Sequence, residues 1–299
     1  MVNHELVEEF CKKAEEKQEA ELKLFSVMDA GGFIRYDMHT DGGKLHVIVS
    51  QLKWNDHVPK ADYFHEFEAY TWKYTEKGYF FIEEYRPSGF DGDPGLTGFR
   101  VKPLDLALRE LNRKYVLPVG YERNNMLIVD WDEQDHTNLD FYDLYELMYR
   151  LKYGADVPYD ANYGGTEYEI PKSEFEGVLQ TYFAQMDSED IEKNADYAPE
   201  GRTYRYRPRG IYDCEFPYGP YPEVVGYEEQ EDGTIKLLVE AVWERKESDL
   251  AFSSELVVRP LENGDFQYVS NRVVCQDADA WTKWYRPRLT DEQWLEHYR

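Results

Sequence analysis

Four histidines, His39, His46, His57 and His65, lie close together in the first third of the chain, interspersed with Asp56, Asp62 and Glu66. A histidine beside a carboxylate is a standard general acid/base pair near neutral pH. Neighbours in an extended chain point to opposite faces, so His65 and Glu66 cannot pair with each other. His46 shares a face with Ile48, Ser50, Leu52 and Trp54, a face expected to pack. Structural or surface histidines are therefore the first expectation. An acid/base pair in a cavity of the N-terminal half is the alternative.

The other reactive patterns are weaker. Asp130, Asp132, Asp135, Asp140 and Asp143 have the oxygen-rich character that calcium takes. As an EF-hand loop from Asp130 they fail: Gln134 is fifth, Asp135 sixth in place of glycine, and Phe141 twelfth in place of a bidentate glutamate. Asp140 is better placed to cap a following helix, and Asp91-Gly92-Asp93 is ordinary turn chemistry. Ser253-Ser254 lacks the G-x-S-x-G setting of an activated serine, and no glycine loop matches a phosphate cradle. No metal site and no cofactor is expected. Aromatic side chains are the remaining chemistry. Tyr204, Tyr206, Tyr212, Tyr218 and Tyr221 alternate with Arg and Pro, and flat rings among polar groups are what sugar or peptide binding uses. Most are expected to cover the core, with the loop 218–222 the exception. The candidate binding residues are Tyr206, Tyr218, Tyr221 and Trp243.

Composition bounds the partners. Sixty Asp and Glu stand against 34 Lys and Arg, a formal charge of -26. Nucleic acid and anionic lipid both need a basic patch, and the one basic cluster, 202–209, is short and laced with tyrosines, so nucleic-acid binding is not expected. An aromatic content of 16% belongs to a folded chain. No stretch is apolar enough to span a bilayer. His4, Glu5, Glu8 and Glu9 near the start are unlike a basic and then apolar leader, so none is expected in the sequence as given. Cys214 and Cys275 leave open either one disulfide or two buried thiols, because pairing needs their Cα atoms within about 7 Å.

These residues need elements to hold them. The spacing of Leu6, Phe10, Ala14, Leu22 and Phe25 predicts one amphipathic helix over 3–27, ended by Gly31 and Gly32. Strands are predicted at 43–54, 63–74 and 78–85, the last two paired through Lys77-Gly78. After a Gly/Pro/Asp loop at 88–98 come a helix at 103–115, a short strand at 126–131, a helix at 141–153 ending at Gly154, and a linker at 157–168. A helix over 171–186 follows, with Pro171 suited to its first turn, then a helical turn capped by Ser188. Strands are predicted at 222–229, 234–244, 250–260 and 265–274. The tail from 281 ends in a helix at 291–298 that docks Trp294.

The two halves repeat an order. Asp41-Gly42 opens a run ending in Trp54, as Asp232-Gly233 opens one ending in Trp243; Asn263-Gly264 sits where Lys77-Gly78 did. The expected fold class is α+β, two tandem modules of a helix plus a curved antiparallel sheet, in the order of NTF2-like and cystatin-like folds. Its divisions are a first module at 1–98, a helical insertion and linker at 99–169, and a second module with a tail at 170–299.

Ile170-Pro171-Lys172-Ser173-Glu174-Phe175, Pro220-Tyr221-Pro222-Glu223-Val224-Val225, the run 233–243, and Glu255-Leu256-Val257-Val258-Arg259-Pro260 through Tyr268-Val269-Ser270-Asn271 resemble a family of uncharacterised proteins common in gut Firmicutes. Residues 124–154 look like that family's middle segment. The resemblance implies a secreted or lipid-anchored precursor at the cell surface and says nothing of activity. The expected function is a non-enzymatic, extracytoplasmic binding or interaction protein with a protein, peptide or glycan partner.

Overall fold

The computed structural model describes residues 1–29, 31–55, 58–160, 164–214, 218–274 and 284–298. The chain is a mixed α+β protein with a curled antiparallel sheet. It divides into two compact units, Met1–Pro103 with Glu244–Asp249, and Leu104–Trp243 with Leu250–Arg299.

The first unit opens with α1 (His4–Glu15), whose Val7, Phe10, Cys11 and Ala14 recur at helical spacing and are buried. A six-stranded meander follows: β1 (Ala20–Val27), β2 (Phe33–Asp41), β3 (Lys44–Asn55), β4 (Val58–Tyr74), β5 (Tyr79–Glu84) and β6 (Leu96–Arg100), each strand beside the next in sequence. Helix α1 lays Val7, Phe10 and Cys11 on Leu22, Leu24, Met38, Leu45, Val47, Phe80 and Ile82 from the sheet. Each such large apolar side chain stabilises the unit by roughly 1.5–3 kcal/mol.

The single helix expected over 3–27 is corrected here. It stops at Glu15, Lys17 turns the chain at a φ of 57°, and 20–27 is a strand. Leu22 and Leu24 are buried while Glu21, Lys23 and Phe25 are exposed, a period of two. Leu22 and Phe25, three apart, imitated a helical stripe, although they lie on opposite faces. Gly31 and Gly32 are therefore a hairpin turn, with Gly31 N–H donating to the Met28 carbonyl at 3.0 Å. The expected strands at 43–54, 63–74 and 78–85 form as β3, β4 and β5, and β4 and β5 pair across Gly78.

The second unit holds α2 (Leu106–Leu111), which runs into a wider π-turn at Asn112–Val116, then β7 (Trp131–Asp132), α3 (Phe141–Tyr153), β8 (Tyr168–Pro171), α4 (Lys172–Tyr182), α5 (Ser188–Asn194), β9 (Tyr197–Ala198) and β10 (Thr203–Tyr206). β11 (Tyr221–Glu229), β12 (Ile235–Trp243), β13 (Ser248–Pro260), β14 (Phe266–Val273) and α6 (Asp291–Tyr298) complete it, apart from Ser248 and Asp249, which group with the first unit. One sheet runs β11-β12-β13-β14-β7 and a small one β8-β10-β9. Leu144, Tyr145 and Met148 of α3 share a core with Phe175, Val178 and Leu179 of α4 and with Val224, Leu237, Val239, Leu256 and Tyr268 of the sheet.

Two local expectations for this unit need correcting. Residues 126–130 are turn and loop rather than a strand, and pairing begins only at Trp131: Asn124 accepts from Met126 N–H and donates to the Val119 and Glu122 carbonyls, and the apolar run Met126-Leu127-Ile128 is buried as a loop. Asp187, not Ser188, caps α5, accepting from Asp190 N–H at 2.9 Å. Ser188 instead donates to the buried Glu176 at 2.7 Å. Asp140 does cap α3, and Gly154 ends it at a φ of 66°.

Candidate functional site

The strand β10 and the residues after it set the chemistry of the second unit. Tyr204 and Tyr206 point into the core, while Thr203 and Arg205 face the other way. The buried tyrosines need acceptors, and each finds a glutamate: Tyr204 donates to Glu176 and Tyr206 to Glu146, both at 2.6 Å. Burial, reinforced by those carboxylates, raises both phenols well above their ordinary range.

Behind this strand lies a buried ionic network. The Asp143 side chain is fully enclosed. Its two oxygens receive Arg209 as a fork, Nε at 2.9 Å and Nη2 at 2.5 Å, together with Arg288 Nε at 2.7 Å and the Tyr285 hydroxyl at 3.2 Å. Arg209 spends its remaining donor on the Asp213 and Arg286 carbonyls, and Arg288 reaches the Arg207 carbonyl and Glu146. Three chain segments meet on one carboxylate: α3, the stretch after β10, and the stretch 285–288. Asp140, the cap residue just before α3, has its pKa raised to about 6 by burial and by the neighbouring Asp143 charge, against the pull of Arg288.

A cleft of about 280 Å³ opens beside this network, lined by Asp140, Tyr142, Asn194, Arg205, Arg207 and Trp294 among others. Its two strand-side arginines are already matched. Arg205 pairs with Asp196 and, at 3.3 Å, with Asp291. Arg207 pairs with Glu167 and Asp291, each at 2.5 Å, and lies 4.4 Å from the centre of the Trp294 ring. Arg207 holds the Asp291 carboxyl below the usual carboxylate range. A second cleft of about 250 Å³ is lined by Arg123, Glu146, Arg150, Tyr159, Tyr206 and Arg209 among others, so the buried network has members on both clefts.

The four binding residues named from sequence are spread out. Tyr206 is buried and bonded to Glu146. Trp243 is buried too, its indole N–H donating to the Tyr218 carbonyl at 2.9 Å and its ring edge-on to Trp284. Tyr218, at a φ of 64°, and Tyr221 remain exposed. None of the four lines the first cleft. The residues that do are brought together from stretches remote in sequence: Asp291 and Trp294 come from the tail, Asp196 from the turn after α5.

The aspartates of the calcium-like run each hold a local hydrogen bond or ion pair. Asp130 accepts from Val273 N–H, Asp132 from Gln134 and Asp135 N–H, Asp135 from Thr137, and Asp140 and Asp143 act as above. Among the described residues no group of three or more His, Cys, Asp or Glu is placed to hold a metal ion. Cys11 is a buried free thiol and Cys214 an exposed one, while Cys275, its possible partner, lies outside the described residues.

In the first unit the histidines separate. His39 and His46 sit opposite each other in the β2–β3 register and, with Glu66, line a cleft of about 480 Å³. His46 lies 3.5 Å from Glu68. His65 meets Glu84 rather than Glu66, Nε2 to Oε2 at 2.8 Å, and Arg86 holds the other Glu84 oxygen at 2.7 Å. Asp62 pairs with Lys53 at 2.5 Å; Asp56 and His57 lie outside the described residues.

Fold and clefts define a mixed α+β protein with a compact polar cleft in its second unit. The chain belongs to a family of unknown function, DUF6070, whose model matches residues 1–288. No curated protein and no solved structure matches it. Among the described residues no helix is long and apolar enough to cross a membrane.

Proposed function

We propose that this is a non-enzymatic binding protein whose second unit holds a neutral, polyhydroxylated ligand, one or two sugar rings, in the cleft beside Trp294. The observation that carries this is the combination of a flat indole with charges that are already paired. A charged ligand would have to break an Arg–Asp pair to gain one, whereas a sugar can lay its C–H face on the side of the indole away from Arg207 and share its hydroxyls among Asp140, Asn194, Asp196 and Arg205 without displacing an ion. The resemblance to secreted and lipid-anchored precursors supports a place outside the cytoplasm, where glycans are met. The shared order of α1 with β3–β5 and of α4 with β12–β14 supports a common origin of the two units as helix-plus-sheet modules of NTF2-like or cystatin-like type.

A glycan array followed by calorimetry on the full chain tests the reading. Binding is expected for neutral saccharides, lost in Trp294→Ala and kept in Tyr221→Ala. Selective binding of acidic or basic ligands at this cleft would refute it.

A second reading rests on His65 and Glu84, an oriented pair of the kind general bases use. It predicts turnover of some substrate with a rate that falls in His65→Gln. A protein that binds but turns nothing over leaves the first reading alone.

A further inference from the structure

A strand at the edge of a sheet offers its free N–H and C=O groups to any strand that approaches. This chain covers such edges. Beside β11 the Asn112 amide stands in for a neighbouring strand, its Oδ1 accepting from Val224 N–H at 3.2 Å and its Nδ2 donating to the Pro222 carbonyl at 3.3 Å. Beside β6 the helical turn Glu244–Lys246 packs closely, and a Cβ at Gly98 would come within 2.7 Å of the Glu244 carboxylate.

β1 is treated differently. Among the described residues β2 is its one strand neighbour, and its eight residues contain neither proline nor a break in register. Leu22 and Leu24 face inward and are buried; Glu21, Lys23, Phe25 and Val27 form an exposed outward row. The outer face continues across β2 and β3 as an aromatic strip, with ring centres 5.7 Å apart for Phe25 and Phe33 and 6.0 Å for Phe33 and Trp54.

We propose that β1 pairs antiparallel with β1 of a second copy of this chain, about a two-fold axis at Leu22. The charges select the register, because directly opposed residues share a face. An axis at Leu22 sets Glu21 opposite the partner's Lys23, and Lys23 opposite the partner's Glu21. Moving it to Glu21 or to Lys23 brings like charges face to face, and moving it to Leu24 sets Lys23 against the partner's Phe25. Self-complementarity of this kind is what an isologous contact requires. The overlap, 20–24 from each copy, is short, so the dimer is weak and exchanges rapidly.

Sedimentation velocity of the full chain over a concentration series at about 0.15 M salt, where the repulsion between two acidic chains is screened, is the test. The wild type is expected to shift from monomer toward dimer as concentration rises. Glu21→Lys alone and Lys23→Glu alone each replace two attractions with two repulsions and weaken the dimer about tenfold. The double variant Glu21→Lys/Lys23→Glu rebuilds both pairs with reversed polarity and restores it. Both side chains are exposed, so the variants keep the native circular dichroism spectrum, which is checked alongside. A monomer at every concentration, single swaps without effect, or a double swap that fails to restore association would each overturn the proposal.

Discussion

Replacing Asp143 with asparagine should be the most destabilising conservative change in the second unit. The carboxylate is fully enclosed and answers two guanidinium groups and one phenol. Asparagine keeps one acceptor oxygen and turns an amide N–H₂ toward an arginine. Arg288 retains Glu146, but Arg209 is left buried with only the Asp213 and Arg286 carbonyls. Breaking a buried pair from one side costs about 3–5 kcal/mol, and the surviving contacts place this case near ~3 kcal/mol. For a unit of this size each kcal/mol moves Tm by about 2–4 °C, so a downward shift of roughly 6–12 °C is expected by calorimetry, with a matching drop in the urea midpoint. The double variant Asp143→Leu/Arg209→Met removes the forked pair together, leaves Arg288 on Glu146, and should cost less than Asp143→Asn alone. A loss below about 1 kcal/mol in Asp143→Asn, or a double variant worse than the single, would show that the network is not a buried charge cluster.

Three other outcomes follow from the same geometry. Because the folded-state pKa of Asp140 is raised to about 6, its stabilising effect is complete below its unfolded value and is lost as pH rises through about 6; Asp140→Asn, an equally good helix cap, should therefore exceed the wild type in stability at pH 7 by on the order of 2 kcal/mol and lose that advantage near pH 4, as measured by urea titrations at both pH values. Burial raises the Cys11 thiol to about 12, so peptide mapping after thiol labelling should find Cys214 modified in the native protein and Cys11 only after unfolding. Gly32→Ala should destabilise the first unit by at least about 1 kcal/mol in thermal melts, since Gly32 has a φ of 91° and a Cβ there would lie 2.4 Å from the Leu52 carbonyl oxygen.

Where a local pattern met no competing one, it could be read directly. The stripe of α4, the Asp140 cap and Gly154 stop of α3, and the turn at Gly78 needed only nearby residues. The alternation in β1 was hidden because Leu22 and Phe25 also satisfy helical spacing, and the choice between periods is made by the neighbouring β2, which no local window contains. The candidate cleft was the least legible part. The alternation of Tyr204, Arg205, Tyr206 and Arg207 is visible, yet whether ring or guanidinium faces outward depends on Glu146, Glu176 and Asp291, and these are 60, 28 and 84 residues from their bonded partners. The sequence pattern points to the tyrosines as binding groups, whereas it is Arg205 and Arg207 beside them that line the cleft.

The central claim, that a neutral saccharide sits on Trp294, is tested most directly by an NMR titration following the indole N–H resonances of the ¹⁵N-labelled full chain, with Trp294 assigned from a Trp294→Phe variant. The account predicts that a saccharide selected from an array shifts the Trp294 indole signal saturably and leaves that of the buried Trp131, bonded to the Met126 carbonyl, in place. A saccharide that binds while the Trp294 resonance stays fixed would contradict it.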